Sequence, residues 1–168
     1  STLQRFEDAA ALEWLETNGL GGWSGSSIIN AHTRRYHGLF VASINPPTER
    51  MVLLSKLDET IVTGNTRIEL GCNLYNGDII HPNGHHYLQG FAKNIFPEWI
   101  YRASDIEIKK TIAMIHGENT VVVTYDVIKS PTEFTLELLP LVAARGYHSL
   151  EHEDQRIHWD VNFDNGTF

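Results

Sequence analysis

The sequence predicts an all-β fold, a large two-sheet antiparallel sandwich. Three observations carry this expectation. Apolar residues alternate with polar ones in short runs, as at Val121, Val123, Tyr125 and Val127 and again at Phe134, Leu136 and Leu138. Turn-forming clusters separate these runs at intervals of roughly ten residues, too short for intervening helices. Only one segment, Arg5 to Leu15, has apolar spacing compatible with a short helix.

Taken in order, that helix or an irregular segment comes first. Ser24 to Asn30 and Tyr36 to Ser43 then read as strands divided by a polar turn, and Asn45-Pro46-Pro47-Thr48 breaks the chain. Met51 to Thr63 reads as a long strand, turning at Gly64-Asn65 into Arg67 to Leu70. Residues 71–97 read as irregular, punctuated by Gly71, Gly77, Pro82, Gly84 and Gly90. Beyond them Trp99 and Tyr101 share a face. Ile106 begins a strand running to Ile115, and His116-Gly117-Glu118-Asn119 turns the chain. In the run from Phe134, Leu136 and Leu138 are expected to face inward, with Thr135 and Glu137 outward, until Pro140 interrupts. Ile157 to Phe163 reads as a last short strand.

At 168 residues the chain fits a single domain, 1–168. Its 21 acidic residues against 13 basic ones give a net charge of −8, which argues against nucleic acid and against an anionic membrane surface. A single cysteine, Cys72, leaves no internal disulfide and fits a reducing, cytoplasmic setting. Nothing at the amino terminus reads as a signal peptide.

The densest chemistry lies in Glu13-Trp14-Leu15-Glu16-Thr17-Asn18-Gly19-Leu20-Gly21-Gly22-Trp23 and in Thr33-Arg34-Arg35-Tyr36-His37-Gly38-Leu39. The glycine cluster lacks the Lys-Ser/Thr end of a phosphate loop and the spacing of a dinucleotide fingerprint. It is either a structural turn or the lining of a cleft or domain interface. In a strand, Arg35 and His37 would share one side and Arg34 and Tyr36 the other. The arginines either form structural ion pairs, with Asp58 or Glu59 as partners, or point into a cleft. His81, His85 and His86 surround a segment that reads as an exposed turn, with no cysteine or carboxylate at close spacing to complete a zinc set, so no metal and no cofactor are expected. Trp99 is expected in the core, and Trp23, beside the glycines, as an exposed aromatic platform. No carboxylate pair sits in a context that marks a glycosidase, and there is no nucleophile elbow.

These two blocks resemble the amino-terminal domain of bacterial and archaeal glycogen debranching enzymes of the amylo-α-1,6-glucosidase type. The likeness continues through Leu53-Leu54-Ser55-Lys56-Leu57-Asp58-Glu59-Thr60, Phe96-Pro97-Glu98-Trp99-Ile100-Tyr101, Lys110-Thr111-Ile112-Ala113-Met114 and Pro140-Leu141-Val142-Ala143-Ala144-Arg145-Gly146-Tyr147-His148-Ser149. It implies a supersandwich-like β-domain that precedes a helical-barrel domain holding the catalytic carboxylates. The chain then reads as a non-catalytic, excised module, its carboxyl end open to truncation. It would dock on that barrel and help hold an α-glucan for hydrolysis of α-1,6 branch points. The alternative is a purely structural interaction module with no sugar contact. The residues expected to bind or dock are Asn18, Gly21, Gly22, Trp23, Arg35, Tyr36 and His37, with Arg145 and His148 beside them. The glycine loop and the Arg35-Tyr36-His37 segment form one surface only if the chain between them brings their ends together. A seven-residue strand would separate them by roughly 20 Å.

Overall fold

Alternation decides which residues meet between the layers. In a computed structural model, which describes residue 3 and residues 5–148, twelve strands follow one short helix, α1 (Phe6–Ala10). They are β1 (Glu13–Thr17), β2 (Trp23–Ser27), β3 (Gly38–Asn45), β4 (Thr48–Thr63), β5 (Thr66–Glu69), β6 (Cys72–Tyr75), β7 (Ile79–Asn83), β8 (Leu88–Lys93), β9 (Pro97–Ala103), β10 (Ile106–Met114), β11 (Val121–Lys129) and β12 (Thr135–Gly146). One sheet runs β1-β2-β3-β4-β12, with β5 also on β4; the second runs β11-β10-β9-β8; β6 and β7 form a separate ribbon. The registered strand pairs are antiparallel. The all-β fold is therefore as expected, and the expected strand from Ile157 to Phe163 lies outside the described residues.

Strand β10 shows the rule at its clearest. Ile106, Ile108, Lys110, Ile112 and Met114 are buried, while the residues between them are half-exposed. On β9, Trp99 and Tyr101 point the same way. Trp99, Tyr101, Ile106, Ile108 and Ile112 meet Trp14, Ile61 and Ile68 of the first sheet in one apolar cluster. Trp14 and Trp99 touch edge to face at 5.0 Å, a geometry aromatic rings prefer.

Several expectations are corrected. Glu13 to Leu15 are strand, not helix; α1 ends at Ala10 and β1 pairs with β2 along its whole length. Strand β2 ends at Ser27 rather than Asn30, where the chain turns through a left-handed Asn30 (φ 56°). Residues 33–37 form a turn, so β3 begins at Gly38 and not at Tyr36. Residues 71–97 hold three strands, β6 to β8, each short and concealed by glycines between them and by Pro82 and Gly90 within them. Pro140 does not interrupt β12, where it pairs opposite Leu57. The outermost strand of a sheet tolerates a residue without an N–H. Edge position also explains Leu138, which is exposed rather than inward, and the exposure of Val127. Phe134 and Leu136 do pack against the core.

Candidate functional site

The loop from β1 to β2 is built by Asn18, whose side chain is fully buried. Its Oδ1 accepts hydrogen bonds from the Leu20 and Gly22 amides at 2.9 and 3.0 Å, closing the loop on itself. Its Nδ2 donates to the Glu118 carbonyl and to Asn119 Oδ1, and the Gly117 amide donates to the Asn18 carbonyl. Asn119 in turn exchanges hydrogen bonds with the Ser43 backbone on β3. The loop is thus strapped to the β10–β11 turn of the opposite sheet. Glycine is required in this loop, and two positions show why. Gly21 has φ +94°, a region closed to most side chains. A Cβ on Gly22 would lie 2.8 Å from both Asn18 Nδ2 and the Val41 carbonyl.

The turn at 33–37 is held as firmly. The His37 amide donates to the Arg34 carbonyl, and Trp23 Nε1 donates to the Tyr36 carbonyl at 3.0 Å. Because this is a turn and not a strand, Arg34 and His37 lie on the same side and both reach Glu13. Arg34 Nε is 2.6 Å and His37 Nε2 3.2 Å from Glu13 Oε1. Glu13 is therefore the ion-pair partner of Arg34. Asp58 and Glu59 pair instead with Lys56 and Lys110. His37 Nδ1 accepts from the Thr33 amide, which leaves the proton on Nε2, directed at the carboxylate. Burial lowers the His37 pKa, opposed by Glu13, so a neutral ring suits this geometry.

The two segments converge. They enclose a cleft of ≈ 540 Å³ whose sides are Gly19, Gly21, Gly22 and Trp23 on one hand and Arg34, Tyr36 and His37 on the other. Trp14, Leu15 and Gly25 also line it, together with Glu13. Its volume is that of a small-ligand site. Flat aromatic groups, one carboxylate and a forked guanidinium can stack on a ring and bond its hydroxyls. Glu13 is the one carboxylate lining the cleft among the described residues, whereas glycoside hydrolysis takes a pair.

Arg35, Arg145 and His148 lie just beyond the rim. Arg145 Nη2 donates to the Arg35 carbonyl at 2.9 Å, and Arg35 Nη1 approaches the His148 carbonyl at 3.4 Å. A β-bulge between Val142 and Arg145, with Ala144 at φ 47°, sets Arg145 opposite Val52. Sequence reasoning missed one contributor here, Arg50, and named a second, Tyr147, only as one of several aromatic residues that could stack on a sugar ring. Arg50 donates to the Gly21 carbonyl at 2.8 Å and stands over the Trp23 and Tyr147 rings at 5.8 and 5.6 Å. Tyr147 meets Trp23 edge to face and leans on Tyr36. Neither lies in the glycine or arginine blocks, and β4 and the end of β12 carry them in from elsewhere in the chain. Of the expected residues, Gly21, Gly22, Trp23, Tyr36 and His37 line the cleft. Asn18 shapes it from beneath, and Arg35, Arg145 and His148 flank it.

Of the histidine cluster, His81 and His86 are exposed as expected, but the third is not. His85 is buried, 3.5 Å from Cys72 Sγ and in edge contact with Phe6. Burial pushes the Cys72 thiol up to about 11 and lowers His85. Among the described residues no group of three His, Cys, Asp or Glu side chains is placed to hold a metal.

His32, behind the turn, has its pKa lowered to about 3, chiefly by burial and next by the Lys56 charge. The unfolded chain, with an ordinary histidine near 6.5, therefore binds a proton that the folded chain refuses. His32 should leave stability untouched above pH 6.5 and reduce it by up to about 1.4 kcal/mol per pH unit between 6.5 and 3. Urea midpoints at pH 7.5, 6 and 5 for the parent and for His32→Asn check this. The variant should show a shallower fall, and equal slopes would refute the assignment.

With this geometry in hand, comparison with protein families is informative. The family described as glycogen debranching enzyme N terminal matches residues 12–168, and the chain belongs to that family. No curated protein and no solved structure matches the chain.

Proposed function

We propose that this domain, as a member of the glycogen debranching enzyme N-terminal family, docks on a helical-barrel catalytic domain and contributes an α-glucan-binding wall to its cleft. The chain itself is read as non-catalytic, acting in a cytoplasmic enzyme that hydrolyses α-1,6-glucosidic branch points. The convergence of the glycine loop and the 33–37 turn on one aromatic-edged cleft carries this reading. In it, Trp23 and Tyr36 offer faces to a glucose ring, while Arg34, His37 and Glu13 address hydroxyls. A neutral polymer also suits a chain of net charge −8, which would repel an anionic one. Among the described residues no helix is long and apolar enough to cross a membrane.

A purely structural module is the second reading, favoured by one observation. Glu13, Arg34 and His37 already satisfy one another, as interface residues would. Titration of the chain with maltotetraose, followed by tryptophan fluorescence and calorimetry, separates the two. Trp23→Ala should weaken binding roughly tenfold, equivalent to about 1.4 kcal/mol of lost stacking, and Trp23→Phe less. If the parent chain binds no glucan, and Trp23→Ala leaves the KM of the enzyme joined to its catalytic domain unchanged, the structural reading prevails.

A further inference from the structure

The cleft at Trp23 and Tyr36 is one end of a longer depression. Behind the rim formed by Arg34 and Tyr36 lies a hollow of ≈ 700 Å³ that also takes in His32, Thr33 and Ser55. Beyond it a third hollow, of ≈ 370 Å³, starts from the same His32 and Ser55 and continues to Lys56, Asp58, Asn73 and Tyr75. Arg34 and Tyr36 border the first two hollows, and His32 and Ser55 the last two, so the lining is continuous from end to end. Strand β4 measures this trough. Arg50, at the near end, stands over the Trp23 ring, and Asp58, at the far end, follows eight residues later. That is roughly 25 Å of extended chain. Neither one sugar ring nor two can touch both ends.

The charges along the trough are already answered from within the chain. Arg34 pairs with Glu13, Arg145 donates to the Arg35 carbonyl, and Arg35 approaches the His148 carbonyl. Lys56 stands 2.8 Å from Asp58 and donates to Asn73 Oδ1, while Asn73 Nδ2 donates to Asp58. Burial and then the Lys56 charge lower the His32 pKa to about 3, so its ring is neutral. Such a lining makes little demand for an anion and suits neutral hydroxyls, which both donate and accept. The walls of the far hollow are apolar, formed by Leu74, Leu139 and Leu141. A polar floor between apolar walls fits a pyranose chain, whose hydroxyls lie at the ring edges and whose C–H bonds form the faces. At the far end Tyr75 is 54 % exposed, and among the described residues no side-chain hydrogen bond or ring contact engages it. Its ring can stack on a sugar face there, as Trp23 can at the near end.

We propose that the trough is an extended subsite for a linear α-glucan chain, running from Trp23 and Tyr36 past Ser55 to Tyr75, so that this domain selects long chains over short ones. This rests on the glucan reading of the cleft and adds to it a requirement for chain length and a second aromatic contact.

Calorimetric titration of the 168-residue chain with maltose, maltotriose, maltotetraose and maltoheptaose tests it. Maltoheptaose should bind at least tenfold more tightly than maltose. Tyr75→Ala should remove roughly tenfold of the maltoheptaose affinity, as loss of one stacking contact implies, and Tyr75→Phe only a small part of it. Maltose affinity should be unchanged in both variants, which also reports that they are folded. Leu139→Ala, in the facing wall, should weaken maltoheptaose by a smaller factor, whereas Trp23→Ala should weaken every sugar in the series. An affinity that does not rise with chain length, or a rise that Tyr75→Ala leaves intact, overturns the extended subsite and leaves the glucan reading of the cleft standing. Absence of binding for all four sugars overturns the extended subsite as well. The glucan reading falls with it when Trp23→Ala also leaves the KM of the enzyme joined to its catalytic domain unchanged.

Discussion

Replacing Trp99 by alanine should destabilise the domain by about 3–5 kcal/mol, the range for removal of a fully buried large aromatic side chain. The side chain has no exposed surface. It packs edge-on against Trp14 at 5.0 Å and against Phe91 at 5.2 Å, and the Lys110 ammonium stands 5.8 Å above its ring. Its Nε1 donates to the Ile28 carbonyl at 2.6 Å, tying β9 of one sheet to the chain that leaves β2 in the other. Alanine would therefore create a cavity at the contact between the layers and orphan a buried carbonyl, which adds to the transfer loss. Against a total stability of 5–15 kcal/mol typical of a domain, such a loss lowers the melting temperature by roughly 10 °C or more. Urea unfolding followed by tryptophan fluorescence and circular dichroism gives the value. A change below about 1 kcal/mol would mean that the two sheets do not meet at Trp99. Trp23→Ala serves as the internal contrast. Its ring is only partly covered and sits at the cleft, so stability should move by less than half as much.

Trp99 was legible in the sequence because the alternation on β9 and β10 is regular. What period-2 patterning could not foresee is Lys110. It occupies the third inward position of β10, between Ile108 and Ile112, where a charged residue looks like an exception to the pattern. Its partner, Glu59, is 51 positions away on another sheet, and no local spacing announces that pairing. The strands from Cys72 to Lys93 were hidden for the opposite reason. Each is short and has glycine or proline within it or beside it, so local propensity pointed to loop while pairing between β6 and β7 and between β8 and β9 decided otherwise.

The site was half legible in the same sense. Residue types marked Trp23, Tyr36 and His37, but whether they met depended on strand length. Strand β2 has five residues rather than seven, and β3 returns with Gly38 opposite Gly25. His37 is thereby brought back to within about three residues of the level of Trp23, roughly 10 Å along the strand rather than 20 Å. The single-surface expectation holds for that reason. Its faces differ from those expected, because alternation does not apply inside the turn at 33–37. Arg50 was not legible, since the pairing of β4 with β3, and of β3 with β2, brings it to Trp23; Tyr147 was legible by residue type but not by place, which the end of β12 beside Arg50 decides.

Lys110→Met should destabilise by about 3–5 kcal/mol, because it removes one partner of a buried ion pair and leaves the other charge without it. Lys110 and Glu59 are 2 % and 4 % exposed, with Nζ and Oε1 2.5 Å apart. Tyr125 Oη donates to the same carboxylate oxygen at 2.6 Å. Burial, followed by the Glu59 charge, raises the Tyr125 pKa, so the phenol stays protonated and remains a donor. One hydrogen bond from a neutral phenol cannot replace a cation for a carboxylate held away from water. The pair joins β10 to β4 and therefore one sheet to the other, so its loss should lower the stability of the whole sandwich and not of one edge. The argument has a sharper consequence in the double variant. If the loss comes from stranding Glu59, Lys110→Met combined with Glu59→Leu should recover most of it, since apolar replacement of an entire buried pair is often neutral or stabilising. If Lys110 instead acted through its aliphatic stem and its contact with Trp99, the two substitutions would add. Urea unfolding of both single variants, the double variant and the parent closes the cycle. A coupling of about 2 kcal/mol or more, with the double variant more stable than either single one, is the expected result. Additive losses would assign the pair a packing role and remove charge compensation as the tie between the sheets.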